Sequence, residues 1–148
     1  GIQHVIKNWN YDEDLCIVGG CSDDEYFHEL TVLAKGRNVR FEARHVSEPE
    51  AATIVANAKA VILPHNSSEM IVSGAYYFAV SYNTPVIALS NSFYEFLKKK
   101  YKFHHILTLN SFNELSKSCL ESVQLPENEI ALIREIHRVD WLSQIDCS

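Results

Sequence analysis

Ala60-Val61-Ile62-Leu63-Pro64-His65-Asn66-Ser67-Ser68-Glu69-Met70-Ile71-Val72-Ser73-Gly74-Ala75 runs from an apolar β-branched stretch through a polar loop to a helix start of small residues, with a helix expected over Tyr76 to Tyr82. A short run that is apolar at every position suits a strand covered on both faces, as in a parallel sheet. Four further runs of this kind flank it: Leu15-Cys16-Ile17-Val18-Gly19, Val39-Arg40-Phe41-Glu42-Ala43, Pro85-Val86-Ile87-Ala88-Leu89 and His105-Ile106-Leu107-Thr108-Leu109. Their starts lie 20 to 25 residues apart, room for one strand, one helix of about three turns and two short loops. Val39 to Ala43 alternates with Arg40 and Glu42 and reads as an edge strand. Right-handed crossovers then predict a doubly wound, mainly parallel Rossmann-like α/β sheet with helices on both faces and ligands at the carboxyl ends of the strands.

Helix starts are marked by Ser-x-x-Glu pairs at Ser22 with Glu25, Ser47 with Glu50, Ser92 with Glu95, and Ser111 with Glu114. In such a pair the hydroxyl and the carboxylate satisfy backbone N–H groups that the first helical turn leaves without partners. Apolar residues follow at helical spacing, as in Tyr26, Phe27, Leu30, Leu33 and Ala34, so each helix has one face to bury. A last helix is expected from about Pro126 to Asp140. No repeat, low-complexity tract or linker interrupts residues 1–148, which read as one domain.

Bulk composition narrows the function. Hydrophobic residues at 47% and charged residues at 22% describe an ordinary globular chain. Thirteen Lys and Arg against nineteen Asp and Glu give a net charge of -6, which offers nucleic acid no global positive field. Lys98, Lys99, Lys100 and Lys102 read as a solvated helix end. Cys16, Cys21, Cys119 and Cys147 lack metal-site spacing and disulfide density, and point to a reducing cytoplasm. No apolar run approaches the roughly 20 residues of a membrane span, and the start at Gly1 without an initiator Met reads as a piece of a longer protein.

Ser73, Gly74 and Ala75 leave the N–H groups of a helix start unobstructed, and the helix dipole adds partial positive charge, so a diphosphate could be held there without a basic side chain. From these three residues alone, the plainer reading is an ordinary N-cap at Ser73 and a packing glycine at Gly74. His65 alone likewise reads as a structural hydrogen-bonder, as do the other six histidines.

The wider order of segments resembles the C-terminal domain of group 1 glycosyltransferases of the GT-B fold. Leu15 to Gly19 followed by Tyr26 and Leu30, Asn38 to Phe41 with Val46-Ser47, Ala58 to Pro64, Ser73-Gly74, Ala79, and Asn83-Thr84-Pro85-Val86-Ile87-Ala88 follow in the family's order over almost the whole chain. The resemblance implies a nucleotide-sugar donor, UDP- or GDP-linked, with its diphosphate on the amides of Ser73, Gly74 and Ala75. It places the base near Ala43, Arg44 and His45, and the sugar or phosphates near His65, Asn66, Glu69, Gly19 and Gly20. It further implies sugar transfer to an acceptor, in polysaccharide or glycan synthesis, without an essential metal or other cofactor. An N-terminal acceptor domain of the same protein would complete the site and supply any contact with the inner face of the membrane. No catalytic residue is assigned, and the chain alone is expected not to turn over.

Two departures qualify the likeness. Met70 and Phe78 stand where many members carry glutamates, and Glu69, one residue out of register, reads equally as a sugar contact or as a surface carboxylate. The family's first strand, which precedes the segment like Ile2 to Trp9, has no counterpart. Its place would be central, between the strands at Leu15 and Ala60, and the gap is expected to close by direct pairing of those two strands or to be filled by another chain, including a second copy of this one. An open central slot would contradict that expectation. Rival readings are a nucleotide-sugar 2-epimerase-like domain and a non-catalytic α/β binding domain. A signalling receiver is disfavoured because the strand ends carry Gly19-Gly20, Ala43, Pro64-His65 and Leu89 rather than the acidic residues a cation would need.

Overall fold

Five strands alternate with helices in the computed structural model, which describes residues 1–64 and 74–133. The chain opens with α1 (Ile2–Lys7), then β1 (Leu15–Val18), α2 (Asp24–Leu33), β2 (Val39–Glu42), α3 (Glu48–Asn57), β3 (Val61–Leu63), α4 (Gly74–Ser81), β4 (Val86–Leu89), α5 (Ser92–Tyr101) and β5 (Ile106–Leu109). A 3-10 turn at Phe112–Glu114 leads into α6 (Lys117–Ser122), and residues 127–133 are helical. Every strand pair is parallel: β1 with β2, β3 with β4, and β4 with β5. The chain is thus an α/β protein of Rossmann-like type. The five β-branched runs fall on the five strands: β1 and β2 lose the last residue of their runs, β3 loses one at each end, and β4 and β5 lose the first.

The helix starts follow capping chemistry, though none of the four expected starts forms the full Ser-x-x-Glu box of an α-helix. Ser47 caps α3, accepting from the Glu50 amide at 3.3 Å, while the Glu50 carboxylate turns to Arg44 instead of closing the box. α2 is capped by Asp23 rather than Ser22, and α5 by Asn91 rather than Ser92, each accepting an amide at 2.9 Å. A neighbouring carboxylate or carboxamide caps as well as a hydroxyl, so the Ser-x-x-Glu spacing misplaces both starts by one residue, α2 one too early and α5 one too late. Ser111 opens the 3-10 turn, not an α-helix, with Glu114 reaching back to the Asn110 amide. Lys98, Lys99 and Lys100 do lie in the last turn of α5, and Lys102 ends that helix in the left-handed region at φ 55°.

Alternation along β4 feeds two cores. Val86 and Ala88 pack with Tyr76, Ala79, Val80, Tyr94, Leu97 and Phe103, while Ile87 faces Val5, Trp9, Leu109, Phe112 and Leu120. A smaller cluster of Ile6, Leu30 and Ala34 covers β1 and β2.

The sheet does not close. β1 and β3 do not pair, so the strands form separate sheets of two and three in the order β2-β1, then β3-β4-β5. The expected direct pairing of the strands at Leu15 and Ala60 is therefore incorrect for this chain. Residues of α1 and α3 line the space that separates the two strands.

Candidate functional site

Two of the three residues expected at a phosphate-binding helix start are described, and both are exposed. Gly74 and Ala75 begin α4, and a Cβ built on Gly74 would meet nothing within 4 Å among the described residues. The first turn of α4 holds no acidic side chain, so the positive end of its dipole is not offset by its own carboxylates. Ser73, His65, Asn66 and Glu69 lie outside the described residues.

Directly behind Gly74 and Ala75 the helix is anchored. Tyr76 is fully buried, with ring centroids 5.4 to 5.7 Å from Tyr77, Phe93 and Tyr94. Its hydroxyl is 2.9 Å from Nε2 of His105, which is also fully buried. On the other side of the imidazole, Nδ1 lies 3.1 Å from Glu129 Oε1. The same carboxylate accepts the backbone N–H of His104 at 2.6 Å and of His105 at 3.3 Å.

Burial pushes the His105 pKa down, against the hydrogen bond and charge of Glu129. Burial also works against ionisation of Glu129, but hydrogen bonds from the His105 ring, the His104 amide and ring and the His105 amide outweigh it and hold that pKa below the usual carboxylate range. At neutral pH the arrangement is therefore a Glu129 anion and a neutral imidazole. An ionised carboxylate only accepts, so the Nδ1–H tautomer is assigned from the network, leaving Nε2 to accept the Tyr76 O–H. Sequence reading treated His105 as an ordinary structural histidine. No spacing rule joins residues 76, 105 and 129, although a histidine directly preceding an apolar strand was a signal of a buried polar partner.

Gly19 and Gly20 follow β1 at the surface. Gly19 adopts φ +144°, a conformation that favours glycine, and a Cβ at either position would meet open space. Ala43, Arg44 and His45 are exposed after β2. Arg44 is already engaged, 2.9 Å from Glu50 and 3.5 Å from Glu42, and its pKa is raised by the Glu50 hydrogen bond and charge, with Glu42 adding to both.

A cavity of about 810 Å³ lies elsewhere, between β1 and β3, and Gly19, Gly20, Ala43, Arg44, His45, Gly74 and Ala75 are all absent from its lining. Among the described residues no cluster of three or more His, Cys, Asp or Glu is placed to hold a metal ion, and no helix is long and apolar enough to cross a membrane. No family model, no curated protein and no solved structure matches this chain.

Proposed function

We propose that the chain is the donor-binding domain of a glycosyltransferase, holding the diphosphate of a nucleotide-sugar on the main-chain amides that open α4. The observation that carries this reading is the exposed pair Gly74 and Ala75, set on a helix whose next residue, Tyr76, is fixed in the core. A helix start that is open to solvent yet rigidly seated is what an anion needs, because its donors are aimed before the ligand arrives. The glycine turn after β1 supports the same reading by leaving room for a second approach of backbone to ligand. Transfer of the sugar would draw on the departing diphosphate being stabilised at these amides and on an acceptor bound by further parts of the protein.

Calorimetric titration of the chain with UDP, GDP and ADP tests it, comparing wild type with Gly74→Val. Because a Cβ at Gly74 meets nothing within 4 Å among the described residues, the substitution is aimed at the ligand rather than at the core. At least one nucleoside diphosphate should bind wild type and bind the variant at least about tenfold more weakly, a difference of about 1.4 kcal/mol. Equal affinity for both proteins, or no binding to wild type, overturns the assignment.

A further inference from the structure

Helix α5 ends in a run of cations that the fold does not use. Lys98 is half-buried and donates to Thr108 Oγ1 at 2.7 Å, whereas Lys99, Lys100 and Lys102 are exposed. Among the described residues, no carboxylate lies within ion-pair distance of these three. Glu95, earlier on the same helix, accepts from Ser90 at 3.0 Å. Glu129 is buried, with its charge taken up by the His104 and His105 amides and rings. The carboxyl end of a helix dipole carries only about half a negative charge, which is too little to balance three ammonium groups.

An apolar ring accompanies the charge. Phe96 precedes Lys99 and Lys100 by three and four residues and so shares their side of the helix. It is 55% exposed, the most of the large apolar side chains among the described residues. Lys100 Nζ stands 5.4 Å from the centre of the Phe96 ring and 5.2 Å from that of Tyr101, which keeps ring and ammonium side by side on one surface.

Sheet register brings more of this chemistry to the same end. Val61, Val86 and Ile106 stand side by side in β3, β4 and β5, so Lys59, Asn83 and Lys102, a few residues before each, enter the sheet at one end. Lys59 is exposed and has no ion-pair partner among the described residues, and Tyr82, just after α4, is 37% exposed. Four unpaired lysines and two exposed rings thus gather at the amino end of β3-β4-β5, in a chain whose net charge is -6. Charge alone admits any polyanion, but the rings narrow the choice. A phenyl ring beside lysines gains little from a carboxylate-rich peptide or a phosphate backbone. At a bilayer it enters the boundary of headgroups and acyl chains while the ammonium groups stay at the phosphates. All four cations are Lys, point charges that suit a mobile headgroup layer, and none is Arg, whose planar fork suits a fixed anion.

We propose that the amino end of the β3-β4-β5 sheet is a docking surface for an anionic lipid bilayer, with Lys59, Lys99, Lys100 and Lys102 at the headgroups and Phe96 dipping into the acyl boundary. The chain's acidic remainder is repelled by such a surface, so docking has one orientation. Gly74 opens α4 at the other end of that helix from Tyr82, and this inference is independent of nucleotide binding. It also departs from the family resemblance, which leaves membrane contact to another domain.

Co-sedimentation of the chain with vesicles of phosphatidylcholine carrying about one-third phosphatidylserine tests it at low salt. Wild type should bind these vesicles and not pure phosphatidylcholine. Each lysine near an anionic surface strengthens binding roughly fivefold, so Lys99→Gln/Lys100→Gln/Lys102→Asn should weaken it about a hundredfold. Asn is chosen at 102 because that residue is left-handed, with φ 55°. Lys7→Gln/Lys35→Gln/Lys117→Gln removes as many exposed charges elsewhere and should bind within about twofold of wild type. Insertion has its own signal: Phe96→Trp should add fluorescence that brominated acyl chains quench, over the signal of Trp9 and Trp141 common to both proteins. No binding of wild type to the anionic vesicles, an equal loss in both triple variants, or no added quenching overturns the proposal. So does tighter binding to polyglutamate or to a single-stranded oligonucleotide than to the vesicles, which would mark a protein or nucleic-acid surface instead.

Discussion

β4 and β1 are both four-residue parallel strands of similar composition, Val86–Leu89 and Leu15–Val18, yet the first three residues of β4 have no accessible surface while every residue of β1 is only half-buried. The difference lies in their neighbours. β4 has a strand on each side, and β1 has one. Apolar sequence alone does not bury a strand; burial needs partners on both edges and both faces. β4 has them within its own sheet, whereas β1 and β3 face the cavity from opposite sides.

The sharpest way to break this comparison is a matched pair of truncations. Ile87→Ala, in a position with no exposed surface, should cost about 4 kcal/mol in chemical denaturation, within the range for large-to-small changes in a packed core. Ile17→Ala, in a half-buried position, should cost about 1–2 kcal/mol, because much of its side chain already has water beside it. Equal costs would mean that the two halves are packed alike and that the split has no energetic meaning.

Next in size is the polar clasp of the better-packed half. Glu129→Ala strands the amides of His104 and His105 and the His105 ring, and should destabilise by about 3 kcal/mol, typical of removing one member of a buried charged network. The same groups fix the response to acid. His105 has a lowered folded pKa, so the unfolded chain takes up a proton first and stability falls as pH drops through the unperturbed histidine value of about 6.5. Glu129 has a lowered folded pKa too, so its contribution is present above the unperturbed carboxylate value and is lost as pH falls through the folded one. Both losses run in the same direction. Denaturation midpoints between pH 8 and pH 4 should decline in wild type and decline less in His105→Phe/Glu129→Leu, which carries neither titration.

The smallest expected effect sharpens the contrast locally. Asn91→Ala and Asp23→Ala each remove an N-cap that accepts one amide at 2.9 Å, worth about 1 kcal/mol. In global denaturation the Asn91 substitution should register in full, and the Asp23 substitution less, as α2 belongs to the half with fewer buried contacts. A larger loss at Asp23 would reverse the ranking of the two halves.

What could be read beforehand divides along physical lines. The five strands and the parallel class were legible because β-branched runs at βα spacing report local preference and burial together, and β-branched Val39, with Arg40 and Glu42 beside it, marked β2 as an edge. The caps of α2 and α5 were missed by one residue because Asp23 and Asn91 offer the same acceptor as the neighbouring serines. α1 was read only as a segment resembling a family helix, for Ile2 to Lys7 has no capping side chain at its start. At the candidate site, the small residues Gly74 and Ala75 signalled an open helix start, but the Tyr76, His105 and Glu129 chain depends on tertiary contacts that no local pattern encodes. The cavity was foreseen as the place of a missing strand, to be closed by direct pairing or filled by another chain, and of these the direct pairing does not occur.

The split has a mechanical meaning as well. Among the described residues the backbone ladder stops at β1 and resumes at β3, so the two sheets are coupled by the chain itself and by side-chain contacts such as those around Ile87, Val5 and Trp9. Side-chain contacts are short-ranged and non-directional, whereas a ladder enforces register over its whole length. The interrupted ladder is a seam, and local opening is expected to begin along it rather than within β3-β4-β5.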